Sequence, residues 1–224
     1  MPQIFPRILY LAGTQDFDSV DSFERHLRGL LDAGLPWFQL RDKRLDDHAL
    51  SLLSDRIRLW TREHGTLFTL NDRPDIALVC EADGVHLGQE DLSALEEGGD
   101  PSKKIYKRMH LGISTHNKNE VLRALTHHPD YLGVGPIFAS TTKETGVAPR
   151  GVGGISETRE LTTLPLVAIG GITLENGAAL LAAGAGTLAV SSILTRADSP
   201  ASVLKVLLSF SPGPFSSDVA EGSP

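Results

Sequence analysis

The sequence predicts a single compact (β/α)8 barrel. Short apolar runs alternate with longer amphipathic segments along the chain, the signature of parallel strands joined by helices. Eight such units fit within about 210 residues, the size of a closed barrel. An open, doubly wound sheet is the structural alternative. It is disfavoured by the strand count and by the lack of a Gly-x-Gly-x-x-Gly after the first strand.

The elements follow in chain order. The run Ile8–Ala12 is the expected first strand, with a helical pattern over Ser22–Ala33 after it. The apolar stretch Leu35-Pro36-Trp37-Phe38 leads into a second strand, Trp37–Arg41, and a long helix, His48–His64. Strands at Leu67–Leu70 and Gly84–Leu87 flank a weaker helical segment, Arg73–Cys80, and a second weak one, Leu92–Glu97, comes next. Leu111–Ser114 and Tyr131–Gly135 are strands around the helix Asn117–His127. The last units are Ile155–Thr162 (a weak helix), the strand Leu166–Ile169, the helix Leu174–Ala183, the strand Thr187–Val190 and the helix Pro200–Phe210. The barrel is thus expected over residues 1–210. From Ser211 to Pro224 the chain turns to Pro, Gly, Ser and acidic residues, a composition expected to stay disordered.

Composition narrows the function. A chain of 224 residues with 41% hydrophobic and 22% charged residues can bury a sizeable core. A net charge of −7 argues against nucleic acid as a partner, although small phosphorylated ligands need only local cations. The single cysteine, Cys80, excludes an intramolecular disulfide and fits a reducing compartment. Within Ile76-Ala77-Leu78-Val79-Cys80 it reads as a buried, inert thiol. The first residues lack a charged-then-apolar leader pattern, and no run approaches the ~18 apolar residues of a membrane span. A cytoplasmic protein without a membrane partner is the expectation. A homo-oligomer is compatible with it.

In a barrel of this kind chemistry belongs at the carboxyl ends of the strands. There the sequence places Gln39-Leu40-Arg41-Asp42-Lys43, Asn71-Asp72-Arg73, Gly88-Gln89-Glu90-Asp91, Ser114-Thr115-His116, Ser140-Thr141-Thr142-Lys143, Gly170-Gly171 and Ser191-Ser192. In a strand, Gln39, Arg41 and Lys43 share one face. Two cations and an amide there suit a multiply charged anion, although a solvated turn would carry the same residues. Asp72 and Asp91 follow neighbouring strands, so their carboxylates can share a hard cation such as Mg2+, or each can cap the helix after it. Gly170-Gly171-Ile172-Thr173 resembles a backbone cradle for phosphate, with the next helix start adding partial positive charge. Ser191 and Ser192 add donors to that phosphate.

Ser140, Thr142 and Lys143 lie in a polar stretch of about 16 residues reaching Gly154, longer than most connections and expected to act as a mobile lid. His86, among apolar residues, reads as a packed, hydrogen-bonded histidine. His116 reads either as a proton carrier or as a helix cap. His26, His48, His64, His110, His127 and His128 read as surface positions, and no Cys/His spacing suggests zinc.

As an ordered set these clusters resemble the thiamine-phosphate synthase family, from Tyr10 to about Leu194. The residues that carry the resemblance are Gln39-Leu40-Arg41-Asp42-Lys43, Asn71-Asp72-Arg73, Gly84-Val85-His86-Leu87-Gly88-Gln89-Glu90-Asp91, Gly112-Ile113-Ser114-Thr115-His116, Gly133-Val134-Gly135-Pro136-Ile137-Phe138, Thr142-Lys143 and Ala168-Ile169-Gly170-Gly171-Ile172.

The resemblance implies a transferase that joins hydroxymethylpyrimidine diphosphate to hydroxyethylthiazole phosphate. Gln39, Arg41, Lys43, Asn71, Ser114 and Lys143 would hold the diphosphate, with Arg41, Lys43, Lys143 and Ser114 acting in catalysis. Asp72 and Asp91 would hold Mg2+. Ser140, Thr142, Gly171, Ser191 and Ser192 would position the thiazole phosphate, and Ala12-Gly13-Thr14 would bound the pyrimidine. Ala139-Ser140 departs from the family's usual Pro-Thr but keeps a hydroxyl, and Glu97–Lys107 is atypical yet remote from the strand ends. A related thiazole tautomerase would need an acid/base such as His116 and have little use for Asp72, Asp91 and Lys43 together. A non-catalytic phosphate-sensing barrel could dispense with the carboxylates.

Overall fold

The computed structural model describes residues 5–92, 109–139 and 148–210. Eight strands form a closed, all-parallel barrel in sequential order. They are β1 (Ile8–Ala12), β2 (Trp37–Leu40), β3 (Leu67–Asn71), β4 (Gly84–Leu87), β5 (His110–Thr115), β6 (Tyr131–Val134), β7 (Leu166–Ile169) and β8 (Thr187–Val190). β8 closes on β1 through Ile8 opposite Leu188 and Tyr10 opposite Val190. The helices described are α1 (Val20–Asp32), α2 (Asp47–His64), α3 (Pro74–Val79), α4 (Lys118–Leu125), α5 (Gly153–Arg159), α6 (Gly177–Ala182), α7 (Ser192–Thr195) and α8 (Pro200–Leu208). None of them is long and apolar enough to cross a membrane.

Every expected strand is present, with ends differing by a residue or two. Helix starts move for local chemical reasons. Ser19 caps α1 by accepting from the Ser22 amide, while the Ser22 hydroxyl accepts from the Ser19 amide, so the helix begins before Ser22. Asp46 caps α2 through the Ala49 amide. Gly65 ends α2 in the left-handed region, φ +65°, where glycine carries no steric penalty. The expectations for 93–97 and 211–224 fall outside the described residues.

Period-two alternation divides the barrel walls. Ile8, Tyr10, Phe38, Leu40, Phe68, Leu70, Val85 and Leu87 face the helices and join the main core with Phe23, Leu27, Leu53 and Ile57. The inward faces build a second, smaller core of Phe5, Leu9, Trp37, Tyr131, Val167 and Ala189. Phe5 stacks on Trp37 at 5.0 Å and meets the edge of Tyr131 at the same distance. This aromatic plug fills the amino end of the barrel and leaves its carboxyl end open.

Three histidines expected at the surface, His26, His110 and His127, are partly buried. His26 packs between Phe17 (4.9 Å) and Tyr10 (5.9 Å), because α1 turns its position toward the barrel rather than to water. His110 starts β5 beside Phe5.

Candidate active site

The open end of the barrel holds a cavity whose apolar base is Leu9, Leu11, Val167, Ile169 and Ala189. Its polar lining draws on six strand ends: Gln39 and Arg41 after β2, Asn71 from β3, His86 from β4, Ser114 and His116 from β5, Gly170 and Gly171 after β7, and Ser191 and Ser192 after β8.

On the β2 side the strand stops at Leu40, one residue short of expectation, and Arg41 and Lys43 stand in the loop. Gln39 is buried and donates to Asn71 Oδ1 at 2.9 Å, which fixes both amides. Arg41 lines the cavity, but Lys43 is exposed and does not line it. The reason is Asp42, which folds the loop onto β1. Its carboxylate accepts from the Thr14 amide (2.6 Å) and hydroxyl (2.5 Å), and from the Arg44 and Leu45 amides. Burial works against that charge, yet these donors outweigh it and hold Asp42 below the usual carboxylate range. Gln15 adds a second latch, donating to the Arg41 carbonyl and accepting from the Lys43 amide.

Arg41 differs from its neighbours in pairing. Arg73 is spent on Asp47 and on a two-pronged contact with Asp75, while Arg56, Arg58, Arg62 and Arg150 each bridge to a carboxylate. Among the described residues Arg41 bridges to none.

Arg41 acts electrostatically on Asp72, whose carboxyl interacts with that of Asp91 beside the Gly88 amide, although neither carboxylate is among the cavity-lining residues. Desolvation first, then the Asp91 charge, pushes Asp72 up to about 6, and Arg41 offsets part of this. Asp72 is not a helix cap. The α3 cap position is Arg73, and Asp72 is held at φ +60°, a conformation disfavoured for a non-glycine residue, with its amide on the His86 carbonyl. Asp91 is not a cap before Leu92 either: it lies inside a helical turn begun at Gln89, and its carboxylate accepts from the preceding Gly88 amide at 2.9 Å. No cluster of three or more potential metal ligands occurs among the described residues. Two carboxylates converging beside an arginine nevertheless suit a cation that takes the rest of its shell from ligand oxygens and water.

Among the described residues, the lining of the opposite wall carries no charged side chain. Gly170 and Gly171 sit at φ +102° and +63°, and a Cβ on Gly171 would lie 2.6 Å from the Ala139 carbonyl. Both the turn and the packing therefore demand glycine. The helix expected to follow immediately begins only at Gly177. Asn176 accepts from the Thr173 amide and donates to the Gly171 carbonyl, holding 171–176 as a turn. After β8 comes α7, a short helix that sequence reasoning missed because four residues give no periodic pattern. Barrels frequently bind phosphate between the loops after strands seven and eight and a short extra helix.

Of the histidines, His86 is buried and hydrogen-bonded to Tyr131 and Ser114. At His116 the cap is Asn117, and Glu120 takes both the His116 amide (2.8 Å) and its Nδ1 (2.7 Å). Cys80 is buried, and desolvation pushes its thiol up to about 11, unsuited to nucleophilic work. Ser140, Thr142 and Lys143 lie outside the described residues, as does most of the expected lid.

A closed (β/α)8 barrel with polar residues gathered at its carboxyl end and a Gly-Gly turn after β7 defines a barrel enzyme for phosphorylated small molecules. Residues 9–194 match the family model described as thiamine monophosphate synthase. The chain is 39% identical over 203 residues to the thiamine-phosphate synthase of Chlorobium luteolum, covering 90% of this chain and 91% of that one. It is 42% identical over 160 residues to that of Methanoregula boonei, covering 71% and 72%. The solved thiamine phosphate pyrophosphorylase of Pyrococcus furiosus superposes with a TM-score of 0.76 at 28% identity, covering 90% of this chain and 93% of that one. The orotidine 5'-phosphate decarboxylase of Pyrococcus horikoshii, at 14% identity and a TM-score of 0.63, shares the fold alone. The chain belongs to the thiamine monophosphate synthase family.

Proposed function

We propose that this chain is a thiamine-phosphate synthase, joining hydroxymethylpyrimidine diphosphate to hydroxyethylthiazole phosphate with release of diphosphate. The observation that carries this reading is Arg41 in the cavity lining, interacting with Asp72 and through it with Asp91 at the edge of that lining, in a barrel whose relatives bear that name.

The reaction needs one bond broken and one made. The C–O bond between the pyrimidine methylene and the diphosphate breaks, and its electron pair leaves with the diphosphate. The thiazole nitrogen lone pair then forms the new C–N bond. That nitrogen is already nucleophilic, so no side-chain base is assigned, His116 included. The electron-rich aminopyrimidine stabilises the cation formed when the leaving group departs, making the displacement dissociative.

The chain's work is electrostatic and positional. Arg41, Gln39, Asn71 and Ser114 bind the diphosphate, with Lys43 and Lys143 reaching it from their loops. Asp72 and Asp91 would hold Mg2+, which when bound would supply positive charge toward the departing diphosphate. Gly171, Ser191 and Ser192, with Ser140 and Thr142, anchor the thiazole phosphate so that the rings meet face to face. Residues 1–210 are the catalytic barrel, working on small phosphorylated molecules in the cytoplasm, with neither nucleic acid nor membrane as partner.

The test is direct. Incubated with both substrates and Mg2+, the protein yields thiamine phosphate and diphosphate in equal amounts. Tautomer exchange of the thiazole without either product would make it an isomerase instead. Binding without any turnover would make it a phosphate sensor.

A further inference from the structure

Beneath Ser114 lies a line of buried polar side chains that binding alone does not require. Trp37 Nε1 is 2.8 Å from Thr69 Oγ1. The Thr69 hydroxyl interacts with the phenol of Tyr131. Tyr131 Oη is 3.1 Å from His86 Nδ1, and His86 Nε2 is 2.8 Å from Ser114 Oγ. Trp37, Thr69 and Tyr131 are buried away from the cavity, His86 is buried at its lining, and Ser114 borders it. The barrel is cleared for these rings. A Cβ on Gly112 would fall 2.0 Å from Tyr131 Cζ, and one on Gly133 would fall 3.0 Å from His86 Cε1.

Each of these groups carries a fixed number of protons, so the line has a direction. An indole N–H can only donate, hence Thr69 Oγ1 accepts from Trp37. Thr69 has one proton of its own, and its remaining partner among the described residues is the Tyr131 oxygen. The Tyr131 proton then goes to His86 Nδ1, since burial keeps the phenol protonated well above its ordinary range. A neutral His86 that accepts at Nδ1 carries its hydrogen on Nε2 and donates to Ser114 Oγ. The reverse order would have His86 Nδ1 donate to Tyr131, stranding in the apolar plug either the Tyr131 proton or, where that proton turns to Thr69, the Thr69 proton. A stranded buried hydroxyl costs about 1–3 kcal/mol.

We infer that the line from Trp37 through Thr69, Tyr131 and His86 is a one-way hydrogen-bond relay that locks His86 as its Nε2–H tautomer and leaves the Ser114 hydroxyl as a dedicated donor to a substrate oxyanion. This rests on the proposed function for the identity of the anion but not for the direction of the relay. His86 is a positioning residue, acting through Ser114. Were the tautomer free, Ser114 would spend part of its time donating down to Nε2 and presenting only lone pairs to the ligand.

The experiment reads tautomer and binding separately. Long-range 15N–1H NMR of the full chain is expected to show His86 protonated at Nε2 and bare at Nδ1. Tyr131→Phe removes one hydroxyl and keeps the ring, and should give a mixed tautomer. Titrated with inorganic diphosphate and Mg2+, this variant should bind about 5–10-fold more weakly, less than the full worth of one hydrogen bond to a charged group because a mixed tautomer loses the donor only part of the time. Tyr131→Phe added to Ser114→Ala should cost nothing further, because both act on the same donor. Thr69→Val, two links from His86, should reproduce a milder tautomer mixture even if Tyr131→Phe folds poorly. A wild-type Nδ1–H tautomer overturns the relay whatever the turnover assay gives. So does a double variant weaker than Ser114→Ala by the full Tyr131→Phe factor. A chain that forms no thiamine phosphate but shows the Nε2–H signature refutes the proposed reaction and leaves the relay standing.

Discussion

The two walls of the cavity hold phosphate by different means. On the β2–β4 side the tools are charged: Arg41, which bridges to no carboxylate among the described residues, and two carboxylates forced into contact, with Asp72 pushed up to about 6. On the β7–β8 side they are backbone and hydroxyl: a Gly-Gly turn with positive φ, then Ser191 and Ser192. Charge that changes during a reaction is best met by fixed opposite charge, since that interaction strengthens as the bond breaks. A phosphate that merely anchors a substrate needs only donors that bind it equally throughout. The proposed function uses this asymmetry, with the leaving group at the first wall and the spectator phosphate at the second.

The largest effect that would test this division is Arg41→Ala. It should lower kcat by about 100–1000-fold, a typical loss for a group acting on transition-state charge. Steady-state kinetics with both substrates saturating will show it, and an unchanged kcat would return Arg41 to the status of a solvated loop residue.

Asp72→Asn should come next, cutting metal affinity and Mg2+-dependent turnover by about 10–100-fold. It also carries a stability signature of opposite sign. The Asp72 pKa is raised in the folded state, so the folded chain binds more protons than the unfolded one between about pH 4 and 6. Stability of the metal-free protein is therefore lost as pH rises through that window, and the loss is complete above it. Metal-free Asp72→Asn should consequently melt about 2–4 °C higher than the parent at pH 8, with the gap closing below pH 4. Scanning calorimetry at the two pH values decides it.

On the neutral wall Gly171→Ala should weaken the thiazole phosphate site and cost about 1–3 kcal/mol of stability in urea unfolding, because the residue must hold φ +63° against the Ala139 carbonyl. The smallest effect belongs to Ser192→Ala: a KM for thiazole phosphate raised about 5–10-fold with kcat nearly unchanged, as expected for a lost uniform contact.

Much of this was legible in the sequence because barrel strands are short, apolar and bounded by polar ends. Ile8–Ala12 and Leu166–Ile169 needed nothing beyond their own composition, and each strand end flagged its candidate residues. What was not legible depended on contacts distant in the chain. Lys43 shares a period-two face with Gln39 and Arg41 on paper. The Asp42 latch onto Thr14, 28 residues away, takes the loop out of strand register. The start of α6 was misplaced because Asn176 closes a turn that composition does not announce. His26 looked like surface because its neighbours on α1 are polar, while the rings that bury it come from β1 and the loop before α1. His86 was readable as a packed histidine, but its direction of donation requires Trp37, Thr69 and Tyr131 from three other strands.

The division of labour between the walls is tested most directly by calorimetric titration of the protein with inorganic diphosphate, with and without Mg2+. The account predicts binding that strengthens at least tenfold with Mg2+, collapses in Arg41→Ala and is untouched by Ser192→Ala. Equal affinity with and without the metal, or equal weakening in both variants, would contradict it.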